Sequence, residues 1–449
     1  MATRRTFLKV LGSAAGAFAA SPLLEAFADP ATASNEFFIF IHQSGGWDVT
    51  LWSDPRFEQS DLVDPATLDV IDNAGGRVHH WTDKTLADGR VGFAPITKGN
   101  LTFGPAIGNL VDHADRILLV NGISMNTVSH PDGVYFSSTG RHLAGGRPVA
   151  ASIDTMIANE LGKEQLFPTV SVNFPSTFLG PNLDSRVAPL RVGSISTVGK
   201  ALTRANTYED QVDRDALTAI LTAEADELAA KSFDPAILHA QSLQYGSLKN
   251  MIAGNLLEIF TTQKLAAEQP AFFPDQKNPA TKLNFQLGGV VNAAFAIEAM
   301  KRNIVRCVSF QMASCDTHNQ NYKDHPVILQ ETFDMIATLI QQLDATPHPT
   351  LTGDKLSDHT HILVISDFCR TPKINAAGGR DHQPNNTAMI ISPKFKANMA
   401  YGKSTEDLLP DPASPTITPA DVLATFVGAF GGDPRTYMRD GQVIKDVLK

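Results

Sequence analysis

The chain has 449 residues, of which 43% are hydrophobic and 19% charged, and its formal net charge is −10 at pH 7. Its length allows one large α/β domain or two smaller ones, and the apolar fraction suffices for a sizeable core. Binding to nucleic acid phosphates needs clustered Lys and Arg, so the acidic balance argues against a nucleic-acid partner. The three cysteines, Cys307, Cys315 and Cys369, exclude a disulfide scaffold; we favour buried thiols, and a bridge between Cys315 and Cys369 stays open.

The first residues have the pattern of an export signal. The twin arginine Arg4-Arg5 precedes a mildly apolar stretch, and Ala26-Phe27-Ala28 has the small-x-small form of a cleavage site. We expect residues 1–28 to be a Tat signal peptide that engages the Tat translocon and is cleaved near Ala28. The mature protein would then be periplasmic or secreted. A stable membrane anchor is the disfavoured alternative, because the stretch falls short of the about 20 apolar residues that span a bilayer.

Short apolar runs alternate with helical patterns along the rest of the chain, which predicts an α/β protein. The predicted strands cover residues 35–42, 116–120, 167–174, 304–312 and 362–365, and the predicted helices cover 133–142, 150–161, 284–302, 327–343 and 418–430. Residues 54–115 are irregular with short strands. Residues 206–270 are rich in Ala, Leu and charged residues, and we interpret them as a helical insertion within a single domain spanning residues 29–449.

Two predicted strands end in loops whose polar residues have two interpretations each. Asp48 follows the first strand and a Gly-Gly-Trp turn, where it could bind a metal ion or cap the next turn. Ser129 lies between the second strand and a helix, where it could be an activated nucleophile or an ordinary N-cap. Neither pattern decides between its two interpretations.

The later loops carry a stronger metal-binding pattern. Asp316 and His318 follow the strand 304–312 and are two residues apart, so an extended backbone turns both side chains to the same side. Asp367 ends the strand 362–365, and a glycine-containing loop then leads to His382. In open α/β sheets the ligand crevice lies at the carboxyl ends of the strands. With Asp48 and a Ser129 hydroxyl, these residues form the inventory of a site for two divalent ions such as Zn, Mn, Ca or Mg.

The order of these motifs carries a resemblance to a known family. The motifs are Gly45-Gly46-Trp47-Asp48, Ser129-His130 with Gly140 downstream, Asp316-Thr317-His318, and Ser366-Asp367-Phe368 with Arg370-Thr371, Asn375 and Gly378-Gly379-Arg380-Asp381-His382. Over nearly the whole mature chain, the sequence resembles the Tat-exported proteins of domain of unknown function 1501, in the alkaline phosphatase/sulfatase-like superfamily. The resemblance implies a three-layer α/β/α sandwich with a mixed, mostly parallel sheet.

The resemblance also implies roles for individual residues. Asp48 and Asp367 would bind one metal ion, and Asp316, His318 and His382 would bind a second. Ser129, or alternatively Thr127, would be the nucleophile, and Arg370 and Arg380 would hold an anionic substrate oxygen. His130 or His42 could supply a further imidazole ligand; we choose His130, with a plain helix-start residue as the alternative.

We therefore expect an exported metal-dependent hydrolase of small anionic phosphate or sulfate esters. Two alternatives stay open. One is a non-catalytic periplasmic binding or assembly module that retains the fold, and the other is a metal-dependent phosphotransferase or mutase of envelope components.

Overall fold

The structure is a computed structural model. It describes residues 34–56, 60–64, 78, 80, 83–85, 91–197, 216, 219, 220, 223, 258–273, 287–438 and 440–449. Residues 35–207 and 255–449 form one compact unit, and a second unit comprises residues 1–34 and 208–254. The expected signal peptide and most of the expected insertion lie outside the described residues, and the single-domain organisation stays a prediction.

An eight-stranded mixed sheet forms the centre of the larger unit. Its strands are β1 (Phe37–Gln43), β6 (Ile117–Ser124), β7 (Phe167–Val172), β8 (Leu190–Val192), β9 (Val305–Met312), β10 (Thr360–Ser366), β13 (Asn385–Ile391) and β14 (Met399–Tyr401). They lie in the order β14-β6-β13-β10-β1-β9-β7-β8. Three two-stranded ribbons add β2 (Asp83–Thr85) with β3 (Val91–Phe93), β4 (Ile96–Lys98) with β5 (Leu101–Phe103), and β11 (Cys369–Arg370) with β12 (His382–Gln383).

The strand β1 lies between β9 and β10 and is parallel to both. All seven of its residues are buried, as expected for a central parallel strand that is covered on both faces. The parallel pairing brings the carboxyl ends of the three strands to one edge of the sheet. The loops after Gln43, Met312 and Ser366 therefore start side by side.

Helices cover both faces of the sheet. The helices are α1 (His130–Thr139), α2 (Ile153–Leu161), α3 (Thr262–Glu268), α4 (Leu287–Lys301), α5 (Asn321–Ala345) and α6 (Pro419–Ala429). Short 3₁₀ helices span Val49–Leu51, Ser185–Val187, Glu258–Phe260, Pro270–Phe272, Leu356–Asp358, Pro434–Thr436 and Lys445–Val447. The segment Pro105–Arg116 consists of 3₁₀ turns interrupted by non-helical backbone at Gly108 and His113.

Successive side chains of β1 point to opposite faces of the sheet, so they contact two different layers of helices. Phe38 and Phe40 pack in one core cluster with apolar residues of α1, α2 and α6. Gln43, which points to the opposite face, accepts a hydrogen bond from Thr332 of α5 at 2.8 Å. The fold is thus an α/β sandwich with a mixed, mostly parallel sheet, and the predicted fold class is confirmed.

The structure differs from the prediction at several elements. The strand predicted at residues 116–120 continues to Ser124, and α1 begins at His130 instead of residue 133. The pattern analysis missed β13, which is antiparallel to both of its neighbours. All three cysteines are free and buried, so the interpretation as buried thiols is correct. Among the described residues, no helix is both long and apolar enough to span a bilayer.

Candidate metal site

Four side chains meet at the carboxyl edge of the sheet: His130, Asp316, His318 and His382. One ligand atom from each lies within 4.8 Å of the ligand atoms of the other three. Asp316 Oδ1 is 3.3 Å from His130 Nε2, 3.1 Å from His318 Nε2 and 3.7 Å from His382 Nε2. The Nε2 atoms of His318 and His382 are 2.8 Å apart. We call these four residues the His₃Asp cluster.

Three separate segments deliver these residues. Asp316 and His318 follow β9, His130 is the first residue of α1, and His382 begins β12, where it pairs with Arg370 of β11. The loop that carries His382 crosses the backbone of His318 closely, since a Cβ on Gly379 would lie 1.9 Å from the carbonyl carbon of His318. Only glycine permits this approach.

A second set of contacts fixes the tautomer of each imidazole. The Nδ1 atoms of His130, His318 and His382 lie 2.6 Å from Asp367 Oδ2, 2.9 Å from Asp381 Oδ1 and 2.7 Å from the Val128 carbonyl oxygen, respectively. Carbonyl oxygens and ionised carboxylates only accept hydrogen bonds, so each Nδ1 carries the proton. Each Nε2 lone pair therefore faces the centre of the cluster.

The cluster thus fits a divalent cation. Three imidazole lone pairs and a carboxylate oxygen face one another, and His130 Nε2 is buried without a hydrogen-bond partner. Imidazoles whose Nδ1–H is held by a carboxylate or carbonyl are the usual arrangement around protein-bound metals. Nitrogen and carboxylate donors of this kind suit Zn, Mn and related ions better than Ca or Mg.

Neighbouring charges shift the pKa values of two cluster members and of Asp367. The hydrogen bond to Asp367 raises the pKa of His130, which makes that imidazole a stronger base. Burial raises the pKa of Asp367, but His130 and His42 outweigh burial and lower the net pKa to about 2. Burial also raises the pKa of Asp316, but the hydrogen bond and the positive charge of Arg370 outweigh burial, so the net pKa is lowered. Both carboxylates are consequently ionised at neutral pH.

Asp367 lies beside the cluster and is not a member of it. Its two oxygens are 3.0 Å from His42 Nε2 and 2.6 Å from His130 Nδ1, and the Gly45 backbone N–H donates to it at 3.1 Å. These contacts orient His130, and the metal-ligand role that the family resemblance implies for Asp367 stays a prediction.

Asp48 is also apart from the cluster. Its carboxylate is fully buried and accepts hydrogen bonds from Thr50 N, Thr50 Oγ1 and Asn321 Nδ2 at 3.0, 2.6 and 2.8 Å. Arg380 Nε lies 3.3 Å from the same carboxylate. Of the two interpretations of Asp48, its surroundings match the cap. One candidate cluster occurs among the described residues, and a second metal ion at Asp48 and Asp367 stays a prediction.

The two arginines expected to hold substrate are buried and engaged by the protein. Arg370 donates to the carbonyls of Gly45, Gly46 and Arg380 and to Asp316 Oδ1 at 2.6 Å, and its Nη1 lies 3.4 Å from His318 Nε2. These contacts use all five N–H groups of the guanidinium. Arg370 thus holds Asp316 in place, and its expected contact with a substrate stays a prediction.

Arg380 is likewise enclosed. It donates to the carbonyls of Thr371 and Asp64 and to the Tyr322 hydroxyl, and its side chain has no exposed surface. The guanidinium of Arg380 is thus enclosed by protein groups, and its expected contact with a substrate oxygen stays a prediction.

Ser129, the expected nucleophile, is the exposed N-cap residue of α1 and makes no capping hydrogen bond with its side chain. The backbone N–H of Ser129 donates to Thr127 Oγ1 at 3.2 Å. The Ser129 hydroxyl is therefore unengaged by the cap and lies one residue before a member of the cluster.

Sequence reasoning missed His325 and Asp381 as residues that support the site. His325 accepts a hydrogen bond from the Asp48 backbone N–H at 2.8 Å and lies 2.7 Å from Thr317 Oγ1. Asp381 belongs to the motif that ends in His382. Its adjacency to His382 was the available signal, but its partner, His318, is 63 residues away in the sequence.

Comparison with known proteins places the chain in a family. The family model described as a protein of unknown function, DUF1501, matches residues 36–446. The chain belongs to the DUF1501 family. None of the curated protein sequences compared with it matches.

Several solved structures are similar to this DUF1501 chain at low identity. A sulfatase from Pseudoalteromonas sp. has 12% identity and a TM-score of 0.37, covering 100% of this chain and 76% of its own. The lipoteichoic acid synthase LtaP from Listeria monocytogenes has 8% identity and a TM-score of 0.37, covering 94% and 78%. A phosphonate monoester hydrolase from Silicibacter pomeroyi has 13% identity and a TM-score of 0.34, covering 92% and 76%. Similarity at this level does not transfer an activity to the chain.

Proposed function

We propose that this protein is a metal-dependent hydrolase of phosphate or sulfate esters, with one divalent cation held by the His₃Asp cluster. One observation carries the proposal: three imidazole Nε2 atoms and one carboxylate oxygen face a common point, and every imidazole is held in the tautomer that directs a lone pair there. A cation bound at this point would supply Lewis-acid chemistry to an anionic ester.

The exposure of the cluster supports access by a substrate. The side chains of Asp316 and His318 are 42% and 44% exposed, whereas Asp367 behind them is 1% exposed. The ligands thus have a buried, rigid side that fixes their geometry and an open side toward solvent. With four protein ligands, substrate binding would require a cation that accepts at least a fifth ligand, as zinc can in a transition state and as Mn²⁺ does in octahedral sites.

Ser129 is the candidate nucleophile in this proposal. Its exposed hydroxyl precedes His130 directly and stands at the N-terminus of α1, where the helix dipole favours an anionic group. Since Arg370 and Arg380 are engaged by the protein, neutralisation of the substrate falls to the cation and to this helix end.

Hydrolysis by the metal-loaded full-length protein tests the proposal. A panel of aryl phosphate, phosphonate and sulfate esters is assayed with Zn²⁺ and with Mn²⁺, for the wild type and for Asp316→Asn, His382→Ala and Ser129→Ala. We expect turnover of at least one ester class and a loss of at least about 100-fold in each variant. His142→Gln is the matched control, because His142 is exposed and pairs with Asp132 outside the cluster. Metal binding without turnover of any ester would favour a binding module.

We also infer export through the Tat pathway, with cleavage near Ala28. The Arg4-Arg5 pair and the Ala-Phe-Ala site support this inference. N-terminal sequencing of protein recovered from the periplasm, beside an Arg4→Lys/Arg5→Lys variant, tests it. Retention of the wild type in the cytoplasm would contradict it.

A further inference from the structure

His42 is a buried imidazole that the proposed chemistry has not used. It is the sixth residue of β1 and points to the same face as Phe38 and Phe40, toward the core shared with α1. Its side chain has no exposed surface, and neither ring nitrogen has a hydrogen-bond partner of good geometry. Burying a polar ring in an apolar core costs free energy unless the ring is hydrogen-bonded, so the contacts of His42 need an explanation.

The imidazole of His42 is the first link of a chain that ends at the cluster. Its Nε2 lies 3.0 Å from Asp367 Oδ1, and Asp367 Oδ2 lies 2.6 Å from Nδ1 of His130. Asp367 Oδ1 has no hydrogen-bond partner of good geometry, so the nearby His42 ring is the polar group that contacts it. The carboxylate is thereby held between two imidazoles, one in the core and one in the cluster.

The register of the sheet fixes this chain. His42 pairs with Ile365 and Gln43 with Ser366 across the parallel strands β1 and β10, and Asp367 follows directly. His42 therefore lies on a strand whose residues are all buried, and Asp367 directly follows another such strand. Residues held in this way keep a ligand within the small tolerance that a metal site requires.

We propose that His42 is a positioning residue for the cation site: it holds the Asp367 carboxylate in the orientation that turns His130 Nε2 toward the cluster. This inference rests on the metal site of the proposed function. His42 does not touch the cation in this account and acts only through Asp367 and His130. Partners in the outer shell of a metal site typically change metal affinity by about 10-fold to 100-fold.

Metal affinity and the Co²⁺ spectrum test the role of His42 without any assay of turnover. The full-length protein is titrated with Zn²⁺ against a chelator and with Co²⁺ by visible absorption, as wild type, His42→Phe and His42→Gln. We expect His42→Phe to bind Zn²⁺ about 10-fold more weakly and to shift the Co²⁺ bands, because His130 loses its fixed orientation. His42→Gln, whose amide can donate to Asp367, should recover most of the affinity.

His361→Phe is the matched control. His361 is also fully buried, on the neighbouring strand β10, but it contacts Glu36 and Ser392 at the opposite end of the sheet. Its substitution should lower the resistance to denaturant and leave Zn²⁺ affinity and the Co²⁺ spectrum unchanged.

A double-mutant cycle with Asp367→Asn distinguishes positioning from a general packing effect. If His42 acts through Asp367, His42→Phe should weaken Zn²⁺ binding little further in the Asp367→Asn background. Additive losses, or wild-type affinity and spectrum in His42→Phe, would overturn the inference. If His42→Phe does not fold, the cycle is run with His42→Gln, and additivity again overturns it. A wild type that binds neither Zn²⁺ nor Co²⁺ would overturn the metal site itself, a distinct result.

Discussion

At the scale of single residues, the buried charged side chains beside the site form hydrogen bonds and ion pairs within the protein. In the sequence, Arg370 and Arg380 resemble arginines that hold a substrate anion, because both lie in the motif that ends in His382. Their burial and carbonyl partners cannot be deduced from composition or spacing. The same holds for Asp48, whose capping role and metal role have one sequence pattern.

Arg370→Met is expected to lower stability and not merely substrate affinity. The substitution leaves the carbonyls of Gly45 and Gly46 without a donor and frees Asp316. Loss of these contacts should decrease the free energy of unfolding by about 2–4 kcal/mol, measured with urea in the metal-free protein. Asp433→Asn is the control, because it removes an exposed ion pair with Arg435 while the amide oxygen can still accept the Arg435 backbone N–H. Unchanged stability of Arg370→Met would contradict this structural role and favour substrate binding by Arg370.

His325 should make the fold sensitive to acid. Its Nε2 accepts the Asp48 backbone N–H, so the ring must be neutral, and burial lowers its pKa to about 3 from 6.5 in the unfolded chain. Because the folded state resists protonation, stability is full above about pH 6.5 and falls as the pH decreases toward 3.

The change from pH 7 to pH 5 should cost the wild type on the order of 1–2 kcal/mol through His325. His325→Gln can keep both hydrogen bonds without titrating, so its stability should depend less on pH over that range. Urea unfolding at the two pH values checks this, and parallel pH profiles for the two proteins would exclude His325 as the source.

At the scale of elements, the sequence predicted the strands that deliver the cluster, and for a physical reason. Residues 37–41 of β1 and 362–365 of β10 are continuously apolar because both faces of these central strands are buried. The missed β13 begins with Asn385-Asn386-Thr387, which has the polarity of a loop. Asn386 is nevertheless buried, because its side chain bonds to Trp47 Nε1 and to the Ser366 carbonyl, contacts that no local pattern contains.

Helix α1 should require glycine at position 133 to reach the site. A Cβ at Gly133 would lie 2.6 Å from the Asp367 carbonyl oxygen, so alanine would push α1, and with it His130, away from β10. Gly133→Ala should destabilise the fold by about 1–3 kcal/mol and weaken Zn²⁺ binding. Gly193→Ala is the control, since a Cβ there meets only one atom, at 3.9 Å. Wild-type Zn²⁺ affinity in Gly133→Ala would show that α1 need not pack this closely.

At the scale of the whole molecule, the cluster joins segments that are far apart in the sequence. His130 and His382 are separated by more than half of the chain, and both meet Asp316 at the carboxyl edge of the sheet. The spacing of the motifs predicted the edge, since parallel strands end together. It could not predict that a carboxylate from one loop orients an imidazole from another, because that depends on side-chain placement within the assembled sheet.

The number of metal ions per chain tests the central claim most directly. Elemental analysis is made on full-length protein loaded with Zn²⁺ or Mn²⁺ and dialysed, as wild type, Asp316→Asn, His382→Ala and the control His142→Gln. The account predicts about one equivalent of metal in the wild type and the control, and little in the two cluster variants. Two equivalents would support Asp48 as a ligand of a second metal ion. No retained metal in the wild type, or equal metal in all four proteins, would contradict the cluster as a cation site.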